Sequence, residues 1–251
     1  MSLKLVLNDK NGRFGNKLFQ VAASIATARI NNMECYSSVG IPNEHIFENK
    51  LLPYTNDIPD EVYIQQQWNF YNIKIERSVD FKGYYQSEKF FLNVKDEILE
   101  LYKIKQDIIN QAIQIEPNIN QFCGIHVRRS DYFSPSGYFN LMPIEYYKKA
   151  INQCSSKEFC IFSDDLDWCK ENFNFKDFKF ISSDDFLEFT LLTLCKEVII
   201  CNSTFGWWAA YLNNNRKIIA PFYNKWFGPN YSNLNNIDIY PENWVQIDYE
   251  S

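Results

Sequence analysis

Short apolar runs recur through the second half of the chain, each followed by a polar break and then by apolar residues at helical spacing. Residues 122–127, 159–162, 178–181, 198–201 and 217–220 read as buried strands. Between them, residues 143–154, a segment opening at 166–172, residues 186–195 and a segment through Trp207, Trp208 and Leu212 carry helix patterns, with Pro143 near the first turn of its helix. Strand and helix thus alternate from 122 to 220, which predicts a parallel α/β sheet with right-handed crossovers, its last strand at 217–220. In the first half, residues 3–7 read as a strand. A turn-rich loop with Gly12 and Gly15 follows, and then a helix over 17–30 with Leu18, Val21, Ala22, Ile25, Ala26 and Ile30 near one face. Residues 33–67 read as irregular, broken by Pro42, Pro53 and Pro59, and a polar helix is expected over 95–114. Glu116-Pro117-Asn118 marks the expected boundary between two domains, 1–117 and 118–251.

Composition narrows the function classes. The chain has 251 residues, 46% hydrophobic and 22% charged, which excludes disorder as its main state and allows a sizeable core. A net charge of −6 disfavours nucleic acid as a partner. Seven cysteines, several in apolar runs and none in a CxxC pair, are expected to be reduced thiols. The only histidines are His45 and His126, so no zinc site is expected. No stretch reaches the ~18 apolar residues of a membrane span, and residues 1–8 lack a signal-peptide core. A cytoplasmic protein is expected, with transient contact at the inner membrane face left open.

Candidate chemistry lies where the predicted strands end, which is where open parallel sheets bind ligands. His126-Val127-Arg128-Arg129-Ser130-Asp131 follows one strand, Ser163-Asp164-Asp165 the next and Asn202-Ser203-Thr204-Phe205 a third. Two guanidiniums and a helix start suit a diphosphate, and the carboxylates suit a base edge or ribose. The same residues have plainer readings. Arg beside Asp forms structural ion pairs, and Ser-Asp-Asp or Asn-Ser-Thr before a helix is a common cap. Gly12-Arg13-Phe14-Gly15-Asn16 is neither GxGxxG nor a P-loop. Asp165-Leu166-Asp167 has the DxD form of some metal-binding sites, but it enters a helix, where residues two apart diverge. Trp207 and Trp208 are expected in the core.

Six segments together resemble a known family. His126-Val-Arg-Arg-Ser-Asp-Tyr132 resembles the His-x-Arg-Arg-x-Asp-Tyr motif of the α-1,2-fucosyltransferases, glycosyltransferase family 11. In matching order come the segments beginning Gly12-Arg-Phe-Gly-Asn, Gly83-Tyr-Tyr-Gln-Ser-Glu-Lys, Pro143-Ile-Glu-Tyr-Tyr, Ile161-Phe-Ser-Asp-Asp and Asn202-Ser-Thr-Phe-Gly-Trp-Trp. The chain departs from the family at Asn11, where a glycine is usual, and at Ser130, where another is usual.

The resemblance implies a GT-B-type fold, two Rossmann-like domains facing a central cleft, the first on the acceptor side and the second binding GDP-fucose. It implies metal-independent, inverting transfer of L-fucose to O2 of a galactose-terminated oligosaccharide or lipid-linked glycan, with no cofactor. Arg128 and above all Arg129 are expected to stabilise the departing diphosphate, assisted by Asn16. The donor set is Gly12, Gly15, Asn16, His126, Arg129, Asp164, Asp165, Ser203, Thr204 and Phe205. Asp131 and, on the acceptor side, Glu88 are candidates for the general base, Asp131 also for orienting the arginines. Two alternatives stand beside this: transfer to another linkage or to a protein hydroxyl, and a non-catalytic nucleotide-sugar or glycan-binding protein.

Overall fold

A computed structural model describes residues 2–133, 137–213 and 216–250. The chain forms two compact units, Met1–Lys105 with Asn235–Pro241, and Gln106–Leu234 with Glu242–Ser251.

The first unit is built on a four-stranded parallel sheet of β1 (Lys4–Leu7), β2 (Glu34–Ser37), β3 (Val62–Ile64) and β4 (Val79–Lys82), in the order β2-β1-β4-β3. Helix α1 (Phe14–Ile30) connects β1 to β2. It is buried on almost every side from Phe14 to Ala28, so its apolar surface is far wider than one stripe. Leu5, Phe81, Tyr85 and Phe90 fill one core with Ala23 and Ala28 of α1. Phe14, Phe47 and Tyr102 stack in series elsewhere in the unit. The returning segment is tied in at Asp238, which accepts the backbone N–H of Phe70 at 2.9 Å and pairs with Lys89 Nζ at 2.5 Å.

Three expectations fail here. The stretch read as irregular contains β2 and β3, and β4 was not foreseen. All three are strands of three or four residues, too short for a periodicity to register. The single helix expected over 95–114 is two, α2 (Lys95–Leu101) and α3 (Gln106–Ile115). Between them Ile104 forms an antiparallel bridge with Phe47, flanked by hydrogen bonds from Glu48 N to Lys103 O and from Lys105 N to Ile46 O. The units therefore part at Lys105 and Gln106, with α3 packed on helix α6 of the second unit, rather than at 117 and 118.

The second unit is a six-stranded, all-parallel sheet. Its strands are β5 (Cys123–Val127), β6 (Phe159–Ser163), β7 (Lys179–Ile181), β8 (Glu197–Ile199), β9 (Lys217–Pro221) and β10 (Val245–Ile247), in the order β10-β9-β8-β5-β6-β7. Helices α4 (Ile144–Ile151), α5 (Leu166–Asn172), α6 (Asp185–Leu194) and α7 (Thr204–Tyr211) make the connections from β5 through β9. The last strand is β10, not the one at 217–220; its three residues lie beyond a long polar stretch that gave no strand signal. Alternation along β5 sends Cys123, Ile125 and Val127 into the core beneath α4 and α5. Gly124 and His126 face the other side, toward α6 and α7. A Cβ at Gly124 would meet Cys195 Sγ at 2.6 Å and Leu192 Cδ1 at 2.7 Å, so glycine permits the close approach of that layer. Trp207 and Trp208 are fully buried, as expected. The chain steps from β5 to β6 and β7 on one side, then returns to place β8, β9 and β10 on the other. That reversal puts a topological switch point between β5 and β8. No helix among the described residues is long and apolar enough to cross a membrane.

Candidate active site

At the switch point, the chain leaving β5 is held by the chain leaving β6. Asp164 accepts the backbone N–H of Arg129 at 2.9 Å through one carboxylate oxygen and that of Ser130 at 3.1 Å through the other. Ser130 Oγ donates back to Asp164 O at 3.1 Å. Asp165 caps α5 by accepting the Trp168 N–H, and its other oxygen takes Arg129 Nε at 3.2 Å. Arg129 lies flat against Trp168, its guanidinium carbon 3.7 Å from the ring centroid, and its side chain is 10% exposed. Arg128 is 22% exposed and uses only Nε, toward Asp131 at 2.7 Å and Asp164 at 3.2 Å. Its two terminal nitrogens have no partner among the described residues.

The β8 side supplies the opposite wall. Ser203 precedes α7 in extended conformation and places no side-chain cap on the helix. The first-turn N–H groups of Thr204, Phe205 and Gly206 therefore form an uncapped, partly positive end. Phe205 stacks on His126 with centroids 5.3 Å apart and a 28° interplanar angle, and Phe189 of α6 meets Phe205 edge-on. Gly206 makes room: a Cβ there would sit 2.6 Å from His126 Nδ1. Burial, helped by the nearby Arg128 charge, pushes His126 down to about 4, so its ring is neutral at physiological pH. Tyr132 OH donates to Asn202 O at 2.8 Å and so joins the two loops. Close by in sequence on α6, Glu188 accepts the Ser183 N–H at 2.9 Å. Burial, with Asp185 and Asp164 as negative neighbours, pushes it up to about 7.

In the first unit, the loop after β1 is organised by a buried amine. Lys17 Nζ donates to the carbonyl of Asp9, to that of Asn11 at 2.8 Å and to Gln20 Oε1 at 2.9 Å. Burial lowers its pKa. Asp9 accepts the Asn11 and Gly83 N–H groups, and Gln20 donates to Gly83 O. Gly12 sits at φ +90°, where a Cβ would meet that of Asn16 at 2.6 Å. Asn16 is in the first turn of α1 and accepts Gln86 Nε2 at 2.8 Å, and α1, too, lacks a side-chain cap. Among the described residues, no group of three or more His, Cys, Asp or Glu side chains is placed to hold a metal ion.

The profile of glycosyl transferase family 11 matches residues 56–248, most of the chain and the whole of the crevice just described. The chain belongs to glycosyl transferase family 11. It is 30% identical over 197 residues to an α-1,2-colitosyltransferase of Escherichia coli, covering 70% of this chain and 65% of that protein. It is 27% identical over 183 residues to an O-antigen biosynthesis glycosyltransferase of the same organism, covering 66% and 59%. A galactoside α-(1,2)-fucosyltransferase 2 of Rattus norvegicus is 29% identical over 229 residues, covering 80% and 65%. The chain thus spans less than two thirds of the length of these relatives. Among solved structures, a fucosyltransferase from Bradyrhizobium matches with a TM-score of 0.55 at 14% identity, over 84% of this chain and 94% of that one. A family 9 glycosyl transferase from Veillonella parvula matches with a TM-score of 0.55 at 10% identity, over 98% and 86%. The fold is the parallel α/β fold of these glycosyltransferases.

Within this family 11 chain, the structure gathers His126, Arg128, Arg129, Asp131, Asp164, Asp165, Ser203, Thr204 and Phe205 at the carboxyl ends of β5, β6 and β8. Gly12, Gly15, Asn16 and Glu88 lie in the first unit. Gly15 and Asn16 belong to α1 rather than to the loop before it. Glu88 is 15% exposed, with Lys95 Nζ at 3.9 Å. The two carboxylates expected to meet a base or ribose have partners within the chain: Asp164 fastens the arginine loop, and Asp165 caps α5 and takes Arg129 Nε. Asp167, the other half of the DxD, is 96% exposed on α5, turned to Lys170. Glu188 was missed. Its sequence signal, an acidic residue in a first helical turn, is indistinguishable from an ordinary complement to the helix dipole.

Proposed function

We propose that this chain is a GT-B-type fucosyltransferase that moves L-fucose from GDP-fucose to O2 of a terminal galactose, with inversion at the anomeric carbon. The observation that carries this reading is the crevice at the β5–β8 switch point. There a guanidinium with two unclaimed nitrogens and an uncapped helix end converge with a neutral histidine–phenylalanine stack. Family membership and the α-1,2 linkage in the names of two relatives support it.

In this mechanism the acceptor hydroxyl attacks C1 of fucose from the face opposite the diphosphate. The C1–O bond to GDP breaks as negative charge builds on the leaving phosphate. Arg128 meets that charge, together with the first-turn N–H groups of α7. This reassigns the principal role from Arg129, whose plane is occupied by Trp168 and whose Nε is held by Asp165. Glu188, as a carboxylate, takes over guanine recognition from Asp164 and Asp165, accepting the adjacent N–H groups of the base edge. Asp131 orients Arg128. Glu88 is the remaining candidate for the proton of the acceptor hydroxyl, and Asn16, its amide fixed by Gln86, assists at the donor; both enter through the family resemblance.

The test is GDP release from GDP-fucose in EDTA, with and without lactose or β-galactosyl-N-acetylhexosamine, followed by linkage analysis of the product. Acceptor-stimulated release with an α-1,2 product is the expected result. GDP-fucose binding without transfer or hydrolysis would favour a binding protein. The colitosyltransferase relative makes a colitose-bearing donor the first competitor to include.

A further inference from the structure

Ladder pairing between β5 and β8 ends at Ile125 and Ile199, several residues short of Arg128 and of the open end of α7. Beyond that point side chains set the spacing of the two loops, and Asn202 is where their bonds meet. Asn202 is buried and immediately precedes Ser203 and α7. Its Nδ2 donates to Asn140 O at 3.0 Å and to Trp226 O at 2.9 Å. Its backbone carbonyl accepts Tyr132 OH at 2.8 Å. One residue is thus bonded to the arginine loop after β5, to the stretch before α4 and to the stretch after β9. Those segments also brace one another. Asn140 Nδ2 donates to Lys225 O at 3.1 Å and Phe227 O at 2.6 Å, and Phe139 forms an antiparallel bridge with Phe227. The Tyr132 ring stacks on Phe139 at 4.7 Å and 14°, which aims its hydroxyl.

We infer that Asn202 is a positioning residue for the transfer step: with the Tyr132 hydroxyl it sets the first-turn N–H groups of α7 against the Arg128 guanidinium, so that both meet the same departing phosphate. The inference rests on the transferase reading above. Its physical basis is that the two groups assigned to the leaving charge come from different strand ends, and donors stabilise developing charge only when they are held in place beforehand. The residue type is specific. A carboxamide offers two N–H donors from one planar group, and two carbonyls face it here; an aspartate of the same shape would turn an oxygen toward both. Asn202 touches no reacting atom in this scheme and acts through the backbone that it holds.

The experiment measures kcat and the KM values for GDP-fucose and lactose in the purified wild type, N202D, Y132F and the double variant. Each is assayed below its melting temperature and corrected for the folded fraction. N202D is expected to lower kcat about 10²-fold, the scale of an ~1 Å misplacement, and Y132F about tenfold, with the lactose KM within about twofold in both. The double variant should lose less than the product of the two single losses, because both act on one loop. Y132F removes a single oxygen and keeps the ring on Phe139, so it carries the test if N202D does not fold. Wild-type kcat in folded Y132F, or losses that multiply independently in the double variant, overturns the inference and leaves the transferase reading standing. A wild type that transfers to no β-galactoside overturns the reading and the inference with it.

Discussion

The carboxylate of Asp164 accepts the backbone N–H of Arg129 at 2.9 Å, so a side chain at the end of β6 sets the path of the chain leaving β5. The same carboxylate takes Ser130 N and Arg128 Nε, which orients three successive residues with one group. Asp164→Ala should therefore behave as a misplaced arginine loop. We expect a fall in kcat of about 10²-fold, the scale of an ~1 Å misplacement, with a smaller change in acceptor KM, measured by steady-state kinetics.

The two arginines should separate. Arg128→Ala removes the group proposed to meet the leaving phosphate, and kcat should fall about 10²–10³-fold with little change in melting temperature. Arg129→Ala removes a buried guanidinium from Trp168 and leaves Asp165 short of a partner. Its main effect should be on stability, about 1–3 kcal/mol by denaturant titration. Equal stability loss in both variants would break this division.

Glu188 predicts a pH signature. Its folded pKa is raised to about 7 from the ordinary carboxylate range. Its stabilising contribution is therefore fully present below the unfolded pKa and is lost as pH rises through about 7. Relative to Glu188→Gln, the wild-type chain should lose melting temperature over that interval. GDP binding should run the other way. If the ionised form accepts the base N–H groups as proposed, wild-type affinity should rise with pH through about 7, and Glu188→Gln should bind weakly without that rise. Calorimetry across the interval checks both slopes.

Two glycines test geometry against fold. In Gly206→Ala the new methyl would press on the His126 ring, tilting the stack with Phe205, and should weaken GDP binding. In Gly124→Ala the methyl would meet Cys195 and Leu192 in the packed layer and should lower stability by about 1–3 kcal/mol, with KM unaffected in the surviving folded protein. Binding titrations and melts on the pair distinguish a site glycine from a packing glycine.

Legibility followed segment length and burial. β5, β6 and α7 were readable because Cys123–Val127, Phe159–Ser163 and the Trp207-Trp208 pair are buried in long apolar runs. β4 was not, because its four residues include Asp80 and Lys82. β10 was not, because only three residues pair with β9. At the site, the arginine pair was visible as a motif, but the different surroundings of its two members were not. That depends on Trp168, a residue of α5 whose nearness to Arg129 is a product of the tertiary fold. The plainer reading of Asp165 as a helix cap holds for the same reason: its carboxylate is used locally before any ligand arrives.

The position of Asp238 has a consequence for synthesis. Its carboxylate anchors Phe70 and Lys89, yet it is made after almost the entire second unit has been translated. The first unit therefore lacks this anchor for Phe70 until residues 235–241 are made, after most of the second unit, whose own last strand β10 is made later still. A stop codon placed shortly before 235 would remove an internal strut from the first unit and the edge strand β10 from the second.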